Sequence, residues 1–286
     1  MIRQNILSTL GGWKMFSQGW QIGLHINTTQ VSVVAVKWKH HKWCLQGWWV
    51  FPLDEPVFTP TGLLVVTPEF RSILLTLRNH FPYRYSLRVS YPVQCVLLRT
   101  IALPSATLQG LSLARFVQLS VERLFSHLHE LTWDYRLGPD TSAEISITVT
   151  RNKVLKDYCA LFDDAGLTLD VVELASTALY SLLDPQSSST LIVEEDETWL
   201  WATCHQQCYH HGQCLNVDFP TIGAVTSSLA IKSESYFYAG IQNAIQPKNI
   251  DVFSLLGSIA QFPPVISTRP DLIVALGLAL READQL

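Results

Sequence analysis

The sequence predicts an α/β protein with two lobes, each built from a sheet and its helices. Segments with the Val, Ile and Trp content and the spacing of strands alternate with amphipathic, helix-like segments along the whole chain. The same succession of strands and helices occurs twice, which favours two similar halves. With 286 residues, 48% of them hydrophobic, the chain is long enough for two such lobes.

The first half opens with three predicted strands between residues 21 and 51, with the polar turn KHHK between the second and the third. Thr67-Pro68-Glu69 has the composition of a helix N-terminus, and apolar residues at helical spacing follow it. Two further strands, YSLRVSY and QCVLLRTIAL, are joined at Pro92. Apolar residues spaced over 108–128 then predict a second amphipathic helix.

The second half begins with the strands LTWDYRL and AEISITVT and a helix that ends at Gly166. The remaining predicted elements are, in order, the strand LTLDVVEL, the helix ASTALYSLL, the strands STLIVEE and ETWLWATC, a Cys/His-rich turn leading into LNVDF, a short helix at 222–230, the strand SYFYAG, a loop over 247–270 and the helix DLIVALGLALREA.

Composition and charge exclude several classes of protein. No apolar run approaches the roughly 20 residues that a membrane-spanning helix needs. The net charge of −4 hides a basic half, with 12 Lys and Arg against 5 Asp and Glu in residues 1–130, and an acidic half, with 8 against 19. The halves, at +7 and −11, are compatible with one face turned to an anionic partner or with ordinary solvated surfaces. Scattered basic residues in an acidic chain disfavour DNA binding.

The N-terminus and the cysteines indicate a cytoplasmic protein. The first 19 residues lack the uninterrupted apolar core and cleavage site of a secretion signal. We expect them to form a disordered N-terminal tail. Translation from Met15 instead of Met1 is an open alternative. Six cysteines in a chain without an export signal are expected to be reduced thiols.

Three stretches together carry a family resemblance. WQIGLHINTTQVSVVAV is similar to the first phosphate loop of actin-like ATPases, AGLTLDVVELASTALYSLL to a helix–strand–helix segment, and DLIVALGLALR to a C-terminal helix. In this order and spacing they resemble PilM, the cytoplasmic actin-like protein of type IV pilus machines. Within that family, WQIGLH and Glu197-Thr-Trp-Leu-Trp-Ala-Thr203 are most similar to enterobacterial members associated with the use of extracellular DNA.

The resemblance implies an actin-like (ribonuclease H-like) two-lobed fold with a PilM-type inserted subdomain and a reduced or missing lid. It places an N-terminal lobe at 20–188, the inserted subdomain at about 85–150, and a reduced C-terminal lobe at 189–286. It also implies a place at the inner face of the inner membrane, reached through a PilN-like membrane protein. The short cytoplasmic tail of that partner would lie as an extended segment between two subdomains of the N-terminal lobe.

Where the family has its first phosphate loop, this chain differs at two positions. His25 stands at the position of an acid and Asn27 at that of a glycine, whereas Thr28 and Thr29 keep hydroxyl groups. Backbone N–H groups approach phosphates best where no Cβ intervenes, although Asn tolerates left-handed backbone geometry. We therefore expect a damaged first loop.

The second loop departs further, because Glu194-Glu195-Asp196-Glu197 replaces an Asp-x-Gly pattern. Adjacent carboxylates repel a triphosphate by about 1–4 kcal/mol per charge pair, unless Mg²⁺ intervenes. The adenosine-binding strand end is reduced to Gly240, and no lid lies between the helix at 222–230 and the next strand. The sequence thus predicts no catalytic residues and no bound cofactor, with a working Mg-ATP-dependent ATPase as the alternative.

Two other groups of residues are candidates for binding a metal ion, a lipid surface or a nucleic acid. Cys204, Cys208, His210 and Cys214 are weak metal candidates, because their spacing lacks a Cys-x-x-Cys pair. The Lys37–Trp43 hairpin tip alternates basic and aromatic residues. It is compatible with tryptophans that pack on the sheet, with contact to anionic lipid, or with binding to single-stranded nucleic acid.

Overall fold

The computed structural model describes residues 19–104, 108–137, 144–205, 208–229, 232–240, 250–253 and 269–281. The tail predicted at 1–19 therefore lies outside the described residues except for Gly19, and so does most of the predicted loop at 247–270. The described part contains two five-stranded mixed sheets and one three-stranded sheet.

The first sheet has the strand order β3-β2-β1-β4-β8. The bounds of its strands are β1 Trp20–Ile26, β2 Gln30–Lys39, β3 Lys42–Pro52, β4 Tyr85–Tyr91 and β8 Leu169–Leu174. β1, β4 and β8 run parallel, and β2 is antiparallel to both of its neighbours.

The second sheet repeats this arrangement in the order β11-β10-β9-β12-β13. Its strands are β9 Ser189–Glu194, β10 Thr198–His205, β11 Cys208–Leu215, β12 Ser235–Ala239 and β13 Ile250–Val252. β9, β12 and β13 are parallel, and β10 is antiparallel to β9 and β11. The β1–β2 and β9–β10 turns therefore occupy equivalent places in the two sheets.

A separate small unit consists of β5 Val96–Ala102, β6 Leu131–Leu137 and β7 Glu144–Arg151, with β7 in the middle. Helix α2, Gly110–Leu124, packs on this sheet through Leu113, Val117 and Val121. The helix is shorter than the predicted 108–128. The unit begins at Val96, because β4, at the boundary expected near residue 85, belongs to the first sheet.

The other helices cover the two large sheets. They are α1 Pro68–His80, α3 Asn152–Asp164, α4 Ala175–Ala178, α5 Ile222–Ser228 and α6 Ile273–Leu280. The Thr67 hydroxyl accepts a hydrogen bond of 3.1 Å from the N–H of Phe70, which confirms the predicted start of α1. Beyond α3, Gly166 adopts a φ of +71°, the left-handed conformation common after a helix.

Helix α6 is apolar on every side and every one of its residues is buried. Together with α4 it fills the space between the two large sheets, where it contacts side chains from both, such as Val34 and Leu191. α1 and α3 cover the opposite face of the first sheet. The core between the lobes therefore depends on this one short helix.

Two segments differ from the prediction. The Cys/His-rich segment predicted as a turn is the strand β11, paired with β10 over its whole length. A short strand, β13, occurs where only loop was predicted, because it adds to the exposed edge of β12. β12 starts seven positions after the end of α5, and this short connection is the region in which the lid was expected to be reduced.

Among the described residues, no helix is both long enough and apolar enough to cross a bilayer.

Candidate functional site at the junction of the two lobes

The turns that follow β1 and β9 face each other across the junction of the two large sheets. His25 is buried at the end of β1, and its Nε2 donates to Glu195 Oε1 at 2.6 Å. Since a carboxylate oxygen only accepts, Nε2 carries a proton, and Nδ1 lies 2.9 Å from Ser90 Oγ. Ser90 Oγ also accepts from the N–H of Ile26 at 3.2 Å. Residues 25 and 195 thus link the lobes directly.

A second pair crosses the same junction. Thr29 Oγ1 donates to Asp196 Oδ2 at 2.5 Å. Asn27 Oδ1 accepts from the backbone N–H groups of Thr29 and Gln30 at 3.0 and 2.8 Å, which closes the first turn. The backbone N–H groups of Thr29 and Gln30 are therefore already bonded within the turn. Thr28 is half-buried in the same turn.

The acidic second turn is also held by hydrogen bonds from residues of its own lobe. Asn216 Nδ2 donates to the backbone oxygens of Glu195 and Asp196 at 2.8 and 3.3 Å. Tyr238 donates its hydroxyl to Glu194 Oε2, and burial together with this bond raises the pKa of Tyr238. A Cβ on residue 240 would fall 2.0 Å from that hydroxyl oxygen, so Gly240 lies directly against this pair.

The space left between the two turns is small. A cavity of about 40 Å³ is lined by Asn27, Thr29, Gln30, Val193, Glu194, Glu195, Asp196, Pro270, Asp271 and Val274. Such a volume accommodates a water molecule or two, whereas pockets for small-molecule ligands usually measure about 300–1,000 Å³. The predicted residues of both turns and Gly240 come together here, but the opposing side chains contact each other.

Asp271, which lines the cavity, forms a double ion pair with Arg269 at 2.9 and 2.6 Å. The hydrogen bond to Asp271 raises the pKa of Arg269. The guanidinium carbon of Arg269 also lies 4.8 Å from the centroid of the Trp48 ring. This pair connects the entry to α6 with β3 of the first sheet.

The Cys/His segment does not assemble a metal site. In the β10–β11 ladder Cys208 lies opposite His205, whereas Cys214 lies opposite Trp199. Six residues along a strand separate two side chains by about 20 Å, too far to share one ion. Cys204 is buried and His210 exposed, and no group of three or more His, Cys, Asp or Glu suited to a metal occurs within the described ranges.

A buried ionic cluster that was not predicted lies beside the junction. Glu173 on β8 accepts from Arg281 Nε at 2.8 Å, from Thr177 Oγ1 at 2.6 Å and from Arg136 Nη2. Arg136 is on β6 of the small unit and Arg281 follows α6 directly. The cluster therefore ties the small unit, the first sheet and the end of α6 together.

A histidine of the second sheet lies close to this cluster. His211 Nδ1 is 2.9 Å from Ser176 Oγ, and its ring meets that of Tyr180 edge-on. Burial, and next the positive charge of Arg136, lower the pKa of His211 to about 4. Residues 136, 173, 211 and 281 are widely separated in sequence, so their spacing gives no signal for this grouping.

Five of the exposed large apolar side chains lie on two segments that meet where the first lobe joins the small unit. Cys95 Sγ lies 3.1 Å from Gly62 O, which brings the loop before α1 against the start of β5. We call the exposed residues at this place the junction patch: Leu63, Val65, Val66, Leu97 and Leu98, which are 37–53% exposed. β5 is an edge strand of its sheet, so the patch borders an open row of backbone groups.

The tryptophans of the β2–β3 hairpin divide between packing and exposure. Trp43 and Trp48 pack against the core between the lobes, and Trp49 packs against the core on the other face of the sheet. Trp38 is 40% exposed and meets Trp43 edge-to-face at 5.1 Å. Packing on the sheet thus accounts for three of these four side chains.

No protein-family model matches the chain. The DNA utilization protein HofM of Escherichia coli (strain K12) is 26% identical over 267 residues, which cover 92% of this chain and 98% of HofM.

Two solved structures share the fold. One, titled the PilM-PilN type IV pilus biogenesis complex, matches with a TM-score of 0.67 and 14% identity over 93% of this chain and 98% of the other. The cytoplasmic domain of EpsL, an inner-membrane component of the type II secretion system of Vibrio cholerae, matches with a TM-score of 0.55 and 6% identity, over 92% and 96%. The chain therefore has the two-lobed actin-like α/β fold that its sequence predicts, and its resemblance to PilM-like proteins of the HofM type is confirmed.

Proposed function

We propose that this protein is a cytoplasmic scaffold of a type IV pilus-like machine for DNA uptake or utilisation. It acts at the inner face of the inner membrane by binding the cytoplasmic N-terminal tail of a PilN-like membrane protein, and it does not hydrolyse ATP. The similarity to HofM along almost the whole of both chains supports the machine, and a structural neighbour that contains PilM with PilN supports the kind of partner.

The observation that carries the proposal is the junction patch beside the open edge of β5. Four consecutive residues of this strand, Leu97 to Thr100, are exposed. An extended tail that pairs with an edge strand gains backbone hydrogen bonds, and neighbouring apolar surface provides contacts for its side chains. The patch lies between the first lobe and the small unit, so a tail bound there would contact both.

The first prediction concerns tail binding. A peptide with the N-terminal sequence of a PilN-like protein from the same organism should bind without nucleotide. Leu98→Glu places a charge on the patch and should weaken that binding at least roughly tenfold, because apolar anchors dominate such interfaces. Fluorescence anisotropy of a labelled peptide measures the dissociation constant.

Leu137→Glu is the matched control, because Leu137 is 56% exposed and lies at the end of β6, on the opposite edge of the same sheet. Its dissociation constant should equal that of the unmodified chain. Equal weakening by both variants, or no binding by the unmodified chain, would contradict the proposed docking site.

The place where a nucleotide would bind supports the proposal that the protein does not hydrolyse ATP. Mg-ATP needs donors and space between the two turns, and this chain fills that place with the His25–Glu195 and Thr29–Asp196 pairs. The remaining cavity of about 40 Å³ is lined by three carboxylates of the second turn. The residues present do not fit a triphosphate.

The second prediction follows from this misfit. Isothermal titration calorimetry with magnesium and a non-hydrolysable ATP analogue should give no binding heat at analogue concentrations up to about 1 mM. A dissociation constant of about 1 mM corresponds to a binding free energy of roughly −4 kcal/mol, so any binding should be weaker than that. The alternative, a working ATPase that uses Thr28 and Thr29, predicts micromolar binding that is lost in Thr28→Ala. That outcome would replace the scaffold-only interpretation, whatever the peptide experiment shows.

A further inference from the structure

The β2–β3 hairpin extends beyond the sheet that holds it. β1 pairs with β2 only as far as Gln21 opposite Val36, whereas β2 and β3 continue to pair up to Lys39 opposite Lys42. At about 3.3 Å per residue, the last three residues of β2 and the first three of β3 project roughly 10 Å past β1 as a two-stranded ribbon. We call residues 37–43 the hairpin tip.

The hairpin tip concentrates positive charge, and none of the ion pairs among the described residues involves its lysines. Lys39, His40, His41 and Lys42 are exposed and Lys37 is half-buried. Lys39 Nζ donates to the neutral Gln46 side chain at 3.2 Å. The first acidic residue of the whole sequence is Asp54, so neither strand of the hairpin contains an acid.

Further exposed residues of the same character lie at this end of the sheet. Trp20 pairs with Tyr85 at the start of the parallel strands β1 and β4, so the residues before Tyr85 emerge at the end from which the hairpin projects. They include Tyr83, which is 93% exposed, and the exposed Arg84. Trp38, Tyr83, Arg84 and the lysines of the hairpin tip therefore lie at the same end of the sheet, and Trp, Tyr, Lys and Arg are the residue types that favour the bilayer–water interface.

The turn of the hairpin adopts a backbone conformation that is uncommon for residues with a side chain. His40 and His41 have φ values of 51° and 61°, a left-handed pair in which Asn-Gly is usually preferred. Residues with a Cβ are disfavoured in this conformation. The turn therefore carries two exposed histidine rings at the outer end of the hairpin.

We propose that the hairpin tip, with Tyr83 and Arg84, docks on the surface of a bilayer that contains anionic lipids. Lysines near such a surface each contribute to attraction, and aromatic rings at the headgroup level add apolar contact. Single-stranded nucleic acid fits less well, because successive bases need open ring faces along a groove. Here Trp43 packs into the core between the lobes, and Trp38 meets it edge-on.

The third prediction tests this surface by sedimentation of the full chain with lipid vesicles. Vesicles of phosphatidylcholine with about 30% phosphatidylglycerol should bind the chain in about 50 mM salt, and pure phosphatidylcholine should not; about 0.5 M salt should release it. Lys39→Gln/Lys42→Gln should lower the partition coefficient roughly 10- to 30-fold, since each lysine contributes about fivefold.

Lys153→Gln/Lys156→Gln is the matched control, because it removes two exposed lysines from α3. This variant should bind as the unmodified chain does. Equal losses in both double variants, or no binding to the anionic vesicles, would overturn the proposal. So would hairpin-dependent binding to a single-stranded oligonucleotide without binding to vesicles. The tail-peptide experiment is independent, because the hairpin variants leave the junction patch unchanged.

Discussion

Replacing Glu173 by Gln should lower the free energy of unfolding by about 3–5 kcal/mol at pH 7, the usual loss when one partner of a buried ion pair is removed. Glu173 is 6% exposed and holds Arg281, whose side chain is 10% exposed, at 2.8 Å. The amide in Glu173→Gln keeps the shape but removes the negative charge that lies against the guanidinium of Arg281. Urea denaturation, followed by tryptophan fluorescence, measures the loss.

The same residue gives the stability a defined dependence on pH. Burial by itself would raise the pKa of Glu173, but the guanidinium groups of Arg136 and Arg281 and the Thr177 hydroxyl hold the charged form and lower the pKa to about 2. A carboxyl whose pKa is lower in the folded state stabilises the fold above its ordinary value of 4.5. About 3 kcal/mol of unfolding free energy should therefore disappear between pH 4.5 and pH 2, and this part of the slope should be absent in Glu173→Gln.

An exposed ion pair supplies the control for Glu173. Arg71 and Asp164 are 3.6 Å apart, with side chains 56% and 64% exposed. Asp164→Asn should change the unfolding free energy by no more than about 0.5 kcal/mol, because water already screens this pair. If Asp164→Asn and Glu173→Gln cost the same, the buried cluster does not hold the small unit and α6 in place as described.

The succession of strands and helices in two similar halves could be predicted because it depends on local signals. The Val and Trp content and the strand–turn–strand spacing predict β1 to β3, and Thr67-Pro68 with Glu69 predicts the start of α1. The same local logic was wrong for the Cys/His-rich segment. Its polar composition favoured a turn, but the pairing of β11 with β10 along eight residues outweighs that preference.

The site was predictable in its members but not in its contacts. The sequence placed His25, Glu195 and Asp196 in two turns, and the duplicated fold brings those turns together. The hydrogen bond from His25 to Glu195 depends on how the two lobes are placed relative to each other. The spacing of residues along the chain does not predict that placement. The Glu173 cluster illustrates the same limit, since Arg136 and Arg281 lie 37 and 108 residues away.

Adding a single methyl group at Gly23 should be among the most damaging changes in the chain. A Cβ on residue 23 of β1 would lie 1.9 Å from the carbonyl oxygen of Ala275 and 2.6 Å from the nitrogen of Ala279, both in the backbone of α6. Backbone cannot rotate away as a side chain does, so α6 has to move from β1 and lose part of the core between the lobes. We expect Gly23→Ala to cost about 3 kcal/mol or more, measured by urea denaturation.

The displacement should also reach the junction of the lobes, because Val274 of α6 and the preceding Pro270 and Asp271 line the cavity there. Gly223→Ala is the matched control: its Cβ would meet nothing nearer than Thr221 Oγ1 at 3.8 Å, and it lies in α5. Since Ala is a better helix former than Gly, this variant should be neutral or more stable by up to about 1 kcal/mol. If Gly23→Ala lowers the free energy of unfolding and Gly223→Ala does not, the result would show that α6 is pressed against β1. Equal stability of Gly23→Ala and Gly223→Ala would mean instead that the two lobes do not depend on that contact.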